Sequence, residues 1–147
     1  MGTAIRILLV EDFEPFRSFT KSLLQEKPDN QIVGEAADGL QAVLLAKELD
    51  PDLILMDIGL PGLNGIEAAR QIRDLVPRSK IIFLTQESSA EIVQETLSLG
   101  ALGYVHKPCA GNDLLRAITA VLQGRQFVSN HPNGFPLVEG SDRPSKE

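Results

Sequence analysis

Residues 53–65 read LILMDIGLPGLNG, an apolar run that ends in Asp57 and continues into a loop with one proline and three glycines. Four apolar residues without a polar one are typical of a strand that is covered on both faces, as in a parallel sheet. Pro61 and Gly65 mark the loop that follows. The stretch therefore predicts a buried parallel strand with a carboxylate at its carboxyl end.

Similar runs recur on both sides of this stretch. Four further runs have strand length: residues 5–10, 31–36, 81–84 and 102–105. After each run, apolar residues recur at helical spacing, as Phe16, Phe19 and Leu23 do after the first. Strict alternation of five strands and five helices predicts an α/β three-layer sandwich with parallel strands and right-handed crossovers. In such sheets ligands bind beyond the carboxyl ends of the strands.

The residues that follow the predicted helices agree with this alternation. Gly100 and Gly124 follow two of the helical patterns, at the position where a helix C-terminus favours a left-handed residue. The polar character rises after Val128, where residues 129–147 contain three prolines and little apolar periodicity. We therefore expect one domain over residues 4–128 and a linker or disordered tail over residues 129–147.

Composition narrows the range of functions. The net charge of −6 opposes electrostatic attraction to nucleic acid or anionic lipid, so we expect this domain to contact neither DNA nor a membrane. The first residues lack the apolar core of a signal peptide, and no apolar run has the roughly 18 to 20 residues needed to cross a bilayer. The expected location is the cytoplasm. The single cysteine, Cys109, excludes an internal disulfide.

Polar side chains with complementary chemistry follow the predicted strands. Glu11 and Asp12 come after the first, and Asp57 ends the third. Carboxylates that converge repel one another unless a cation lies among them, and Mg²⁺ prefers such hard oxygen ligands. Thr85 ends the fourth strand and Lys107 follows the fifth. A carboxylate nucleophile beside groups that neutralise phosphoryl oxygens suits phosphoryl transfer.

Five elements in this order resemble the signature of the receiver domain of bacterial two-component response regulators: Glu11-Asp12, Asp57, the loop at residues 58–65, Thr85 and Lys107-Pro108. The resemblance extends over residues 4–128. It implies a flavodoxin-like fold with a five-stranded parallel sheet in the order 2-1-3-4-5. It also implies a phosphorylation-activated switch whose partner is a sensor histidine kinase and whose cofactor is Mg²⁺.

The resemblance assigns the acceptor and the metal ligands. Asp57 would be the phosphoacceptor and Asp12 the main Mg²⁺ ligand, with Glu11 acting partly through water. Asp57 and the backbone carbonyl of Gly59 would be further ligands. The chain would catalyse only its own phosphorylation and dephosphorylation, so it would not be an enzyme that turns over a substrate.

The resemblance also assigns residues that bind and sense the phosphoryl group. Thr85 and Lys107 would each bind a phosphoryl oxygen, and Pro108 would follow a cis peptide bond. Thr85 and Tyr104 would form the conformational switch. Gly59, together with the residue two positions after Thr85, would set the lifetime of the phosphoryl group; that residue is Glu87.

Residues 101–107 and 122–125 resemble receivers that precede a LuxR-type helix-turn-helix domain. No such domain follows, so the chain would be either a fragment of a longer DNA-binding regulator or a stand-alone receiver. Phosphorylation would alter the face formed by helix 4, strand 5 and helix 5. That change would control homodimerisation or an output domain that regulates transcription, and DNA contact would belong to the output domain.

Among the alternatives that stay open from the residues alone, four concern Asp12, Tyr104, Asp57 and the function of the whole chain. Asp12 could cap the first helix, a role that is compatible with metal binding. Tyr104 could be an ordinary core residue. Asp57 could be the nucleophile of a hydrolase similar to haloacid dehalogenases, although that family needs an aspartate where Gly59 stands. The chain could also be a pseudo-receiver that only binds proteins, which the complete acidic set disfavours.

Overall fold

The computed structural model describes residues 4–86 and 89–129. Its strands are β1 (Ile5–Val10), β2 (Asn30–Ala36), β3 (Leu53–Met56), β4 (Lys80–Thr85), β5 (Gly103–His106) and β6 (Phe127–Val128). Its helices are α1 (Glu14–Leu24), α2 (Gly39–Leu49), α3 (Gly65–Leu75), α4 (Ala90–Ser98) and α5 (Ala110–Leu122). A short 3₁₀ turn, Lys107–Cys109, connects β5 to α5. Within the described ranges no helix is both long and apolar enough to cross a bilayer.

The strands form one parallel sheet in the order β2-β1-β3-β4-β5-β6. The flavodoxin-like order predicted for the first five strands is confirmed. The sixth strand was not predicted, because two residues are too few to show a periodicity. The chain reverses at Gly124 with a φ of 81°. The Phe127 amide then donates to the Leu102 carbonyl at 2.9 Å, which begins the pairing with β5.

Alternate residues of the central strands point to opposite sides of the sheet and form two cores. Leu8 and Val10 of β1 belong to the core beneath α2, α3 and α4. Ile7 and Leu9 belong to the core beneath α1 and α5. Burial of each such side chain stabilises the fold by about 1.5–3 kcal/mol. The two cores hold the central strands, and hence the residues at their ends, in a fixed frame.

Two glycines allow the chain to turn closely around the carboxyl end of β3. A Cβ at Gly65 would lie 2.1 Å from the Asp57 carbonyl oxygen, so any larger residue would push the start of α3 away from Asp57. A Cβ at Gly39 would lie 1.8 Å from the Leu63 carbonyl oxygen. The left-handed conformation predicted at two helix ends is confirmed, with φ values of 94° at Gly100 and 81° at Gly124.

Ser129 is the last residue that the structure describes, and it is buried. Its hydroxyl donates to Asp113 Oδ2 at 2.9 Å and accepts from the His106 amide at 3.0 Å. Its own amide donates to the Tyr104 carbonyl at 2.8 Å. The packed unit thus includes a residue that the sequence placed in the tail. Residues 130–147, the rest of the predicted tail, lie outside the described ranges.

Candidate functional site

Three ionisable side chains meet at the carboxyl edge of the sheet. Glu11 follows β1, Asp57 follows β3, and Lys107 reaches them from the end of β5. The Lys107 Nζ lies 2.8 Å from Glu11 Oε1 and 3.3 Å from Asp57 Oδ2. Each of the three side chains is at least nine-tenths buried. The structure therefore brings together the residues that the strand order predicted to converge, with a lysine between two carboxylates.

Glu11 is held by contacts at both carboxylate oxygens. Its Oε2 accepts from the Phe13 amide at 3.0 Å, while its Oε1 pairs with Lys107. Burial raises the pKa of Glu11 above its usual range; the hydrogen bonds from Lys107 and the Phe13 amide oppose this effect, and the Asp57 charge adds to it. The carboxylates thus carry more negative charge than Lys107 alone neutralises. A bound cation would relieve this imbalance.

Asp12 completes an acidic cluster that can hold such a cation. Glu11, Asp12 and Asp57 each offer a carboxylate oxygen, and these three oxygens lie within 4.8 Å of one another. Hard oxygen donors at this spacing fit Mg²⁺, which commonly binds one or two protein carboxylates and retains several waters. Both Glu11 oxygens already accept hydrogen bonds, whereas Asp12 is exposed. The exposed Asp12 carboxylate is thus the most accessible of the three, and the division of metal ligation among Glu11, Asp12 and Asp57 stays a prediction.

The alternative role of Asp12 as a helix cap is wrong. The N-cap of α1 is Phe13, and no side chain caps this helix end. Pro15 lies in the first turn of α1, where the missing amide hydrogen leaves no intrahelical bond unmade. The Asp12 carboxylate is therefore not used by the helix.

Gly59 lies exposed beside Asp57. Its amide donates to Asp57 Oδ1 at 3.2 Å, which turns that oxygen toward the loop. A Cβ built on Gly59 would meet nothing within 4 Å, so the space beside Gly59 itself is open. Metal ligation by the Gly59 carbonyl stays a prediction.

Thr85 and Tyr104 lie on the neighbouring strands β4 and β5. Thr85 ends β4, is 1% exposed and pairs in register with His106, the residue before Lys107. Tyr104 is 3% exposed and packs in the core beneath α2, α3 and α4. It is thus a core residue in this structure, as the alternative interpretation held. Its switch role stays a prediction, and Glu87 lies outside the described ranges.

The predicted cis peptide bond before Pro108 is wrong, since the described residues contain none. Pro108 is exposed and lies in the first positions of the 3₁₀ turn Lys107–Cys109. A proline ring fits such a position with a trans bond, because its restricted φ suits the turn and no amide hydrogen is required there. The trans form is also favoured intrinsically, by about 0.5–1 kcal/mol.

An aromatic neighbour of Lys107 was missed from the sequence. The Lys107 Nζ lies 4.6 Å from the centroid of the Phe16 ring. The spacing of Phe16, Phe19 and Leu23 predicted only an apolar helix face, yet Phe16 is half-buried and Phe19 is 44% exposed. The available signal was a phenylalanine one turn into the helix that follows Glu11-Asp12. The contact of this phenylalanine with Lys107 could not be predicted without knowing that α1 lies beside the start of α5.

Comparison with known proteins agrees with this geometry. The family model described as the response regulator receiver domain matches residues 7–119. The chain is 36% identical to the crystal structure of a LuxR-family two-component response regulator from Aurantimonas sp. SI85-9A1, with a TM-score of 0.83. That match covers 89% of this chain and 92% of the other.

Two curated relatives extend the match. The chain is 37% identical over 123 residues to the nitrate/nitrite response regulator protein NarL of Escherichia coli K12. This match covers 84% of this chain and 57% of NarL. It is 40% identical over 133 residues to the transcriptional regulatory protein LiaR of Bacillus subtilis 168. That match covers 90% of this chain and 63% of LiaR. The chain thus spans less than two thirds of the length of either. It belongs to the response regulator receiver domain family, in the NarL- and LuxR-type subgroup, whose members are signalling proteins of two-component systems.

Proposed function

We propose that this domain is a signalling switch that accepts a phosphoryl group on Asp57 from a sensor histidine kinase or a small phosphodonor. The observation that carries the proposal is the buried Lys107 between Glu11 and Asp57, beside an acidic cluster with open space at Gly59. Asp12, Asp57 and the Gly59 carbonyl would hold Mg²⁺, with Glu11 bound through a water. The bound metal would neutralise charge on the phosphoryl oxygens and orient the donor.

The chemistry would use the side chains at this edge together with a bound metal and a phosphodonor. An Asp57 carboxylate oxygen attacks phosphorus, the bond from phosphorus to the donor atom breaks, and the product is an aspartyl phosphate. Lys107 and Thr85 each bind a phosphoryl oxygen and spread its charge. Attack of water on phosphorus later breaks the bond from phosphorus to the Asp57 oxygen, releases inorganic phosphate and returns Asp57 to the carboxylate. Gly59 leaves room for that water, and Gly59 and Glu87 together would set the lifetime.

The output follows from where the site residues lie. Thr85 ends β4 and Lys107 follows β5, so movement toward a phosphoryl group would be transmitted through Tyr104 to the face formed by α4, β5 and α5. That change would control homodimerisation or an output domain that acts on transcription. Contact with DNA would belong to such a domain, as the greater length of NarL and LiaR suggests. The resemblance further implies a cytoplasmic location.

The direct test is covalent labelling with radioactive acetyl phosphate in the presence of Mg²⁺. Asp57→Asn should abolish the label, because an amide oxygen is a poor nucleophile. Asp52→Asn is a matched control, since Asp52 precedes the same strand at its opposite end and should leave labelling unchanged. Removal of Mg²⁺ with a chelator should also abolish the label. Labelling that survives Asp57→Asn, or a wild-type protein that takes up no label, would contradict the proposal.

The output is tested by molecular mass in solution. Beryllofluoride with Mg²⁺ mimics the phosphoryl group without turnover, so it separates occupancy of the site from its chemistry. We expect the wild-type protein to change its elution volume or cross-linking pattern with both reagents present, and Asp57→Asn to show no change. A response that is equal in both proteins would show that the change does not arise at Asp57.

A further inference from the structure

The Lys107 ammonium has a third contact that the proposed chemistry does not use. Besides Glu11 Oε1 at 2.8 Å and Asp57 Oδ2 at 3.3 Å, it faces the Phe16 ring at 4.6 Å from the centroid. An ammonium has three N–H donors, and an aromatic face attracts a cation placed over it. Because the Lys107 side chain is only 8% exposed, water weakens this attraction little.

The Phe16 ring is itself held in place by its neighbours. It packs against the core beneath α1 and α5, and its centroid lies 5.7 Å from that of Phe19. Phe19 in turn lies close to α5, where a Cβ on Gly111 would be 3.9 Å from Phe19 Cζ. The ring is therefore positioned by the packing of α1 against α5, in addition to the hydrogen bond that joins the Phe13 amide at the start of α1 to Glu11.

The three contacts differ in what happens to them during phosphoryl transfer. Asp57 changes charge and size when it gains a phosphoryl group, and a metal ion competes with Lys107 for the oxygens of Glu11 and Asp57. The Phe16 ring alone is unchanged by either event. It can therefore keep the ammonium in place while the two carboxylate contacts rearrange.

We infer that Phe16 is a positioning residue, whose aromatic face holds the Lys107 ammonium beside Asp57 during phosphoryl transfer. The inference rests on the proposed function of Asp57. It assigns the ring an electrostatic role, which differs from the role of an apolar side chain that only fills space between α1 and α5. A test must therefore alter the charge distribution of the ring without altering its shape.

The sharpest variant replaces Phe16 with pentafluorophenylalanine, which keeps the ring and its apolar character but reverses the charge on its face. The measurement is the initial rate of labelling by acetyl phosphate at saturating Mg²⁺, with the thermal midpoint recorded in parallel. We expect the rate to fall roughly thirtyfold, the size of one desolvated cation–π contact, in a protein that is still folded at the assay temperature. Phe16→Tyr should keep a rate near that of the wild-type protein, and Phe16→Leu should lower it.

Pentafluorophenylalanine at position 19 is the matched control, because the same substitution there alters a ring that does not lie over Lys107. We expect a wild-type rate for it. A wild-type rate with the fluorinated ring at position 16, or an equal loss at positions 16 and 19, would overturn the inference. Failure of the wild-type protein to be labelled would instead refute the proposed function, so the two failures are distinguishable.

Discussion

The two edges of the sheet differ in how far their positive and negative side chains balance. At the carboxyl edge, the Glu11 and Asp57 carboxylates share the Lys107 ammonium and Asp12 adds a third carboxylate, so three acids stand against one ammonium in this cluster of four side chains. The nearby Arg17 guanidinium donates to the backbone carbonyl of Glu11 and not to these carboxylates. Most of this charge is buried, and the pKa of Glu11 is raised as a result of its burial. A further cation bound at this edge would offset these charges.

At the amino edge, two arginines and two aspartates contact one another in a group whose charges balance. Asp52 accepts from the Arg6 amide at 2.9 Å and from Arg78 at 3.1 Å, and Arg78 also pairs with Asp50 at 3.1 Å. The Arg6 guanidinium donates to the Leu49 carbonyl at 2.8 Å, which satisfies the last turn of α2. The hydrogen bond from the Arg6 amide, with smaller contributions from Arg78, lowers the pKa of Asp52.

This contrast separates structural charges from functional ones in a single sheet. Charges that pair fully within the fold lower its free energy and need no ligand. Charges that are buried and unbalanced raise the free energy of the fold, and such perturbed groups cluster at functional sites. The difference in balance, rather than the number of charged residues, marks the carboxyl edge as the site.

The largest effect on stability should come from Lys107→Met. This change leaves Glu11 and Asp57 buried without their cation and should lower the free energy of unfolding by about 3 kcal/mol at neutral pH. Millimolar Mg²⁺ should restore part of the loss, because the metal binds the folded acidic cluster and not the unfolded chain. Urea unfolding with and without Mg²⁺ measures both effects.

Lys80→Met is the control, since Lys80 is half-exposed at the amino edge, at the start of β4. It should change the free energy of unfolding little and should not respond to Mg²⁺. If the two lysine variants were equally stable and equally indifferent to Mg²⁺, the carboxyl edge would not hold the unbalanced charge that its geometry indicates.

A smaller effect is expected from Ser129→Ala at the carboxyl edge, where the contacts of Ser129 are satisfied within the fold. The change leaves Asp113 Oδ2 and the His106 amide without their hydroxyl partner in a buried place, which should cost about 2 kcal/mol of stability. Labelling of Asp57 should persist, because this contact is satisfied within the fold. Thermal and urea unfolding, compared with the exposed Ser22→Ala, give the measurement. Equal stability of the two variants would show that the hydrogen bonds of Ser129 do not stabilise the domain.

The smallest effect is expected from Asp52→Asn at the amino edge, about 1 kcal/mol at pH 7, because the contacts of Asp52 are partly exposed. The folded-state pKa of Asp52 is lowered from its ordinary value of 3.8, so its contribution is complete above that value and is lost as the pH falls through the lowered pKa. The difference between wild type and variant should therefore shrink below about pH 4. Urea unfolding across this range tests the sign, and a difference that grew on acidification would contradict it.

Much of the fold could be predicted because its signals are local. An apolar run such as residues 53–56 indicates a strand whatever lies elsewhere in the chain. Gly100 and Gly124 mark helix ends through a backbone conformation that depends on the residue itself. The strand β6 escaped prediction for the opposite reason, since its two residues are ordered by pairing with β5.

The residues of the candidate site likewise divide into those that could be predicted from the sequence and those that could not. Asp57, Thr85 and Lys107 could be found because each ends or directly follows a strand, and parallel strands bring their carboxyl ends to one edge. The Phe16 ring beside Lys107 could not be found, because its position depends on the packing of α1 against the start of α5. The isomer at Pro108 depended likewise on the turn that surrounds it.

The sequence by itself determined which residue types stand at the strand ends, and hence that carboxylates, a hydroxyl and an ammonium share one edge. Periodicity and residue order are properties of the chain alone. Only the tertiary structure decided how these charges are shared: that Lys107 lies between Glu11 and Asp57, that Asp12 stays exposed, and that Phe16 faces the ammonium. The reason is that electrostatic energy depends on separation in space and on burial, which packing sets.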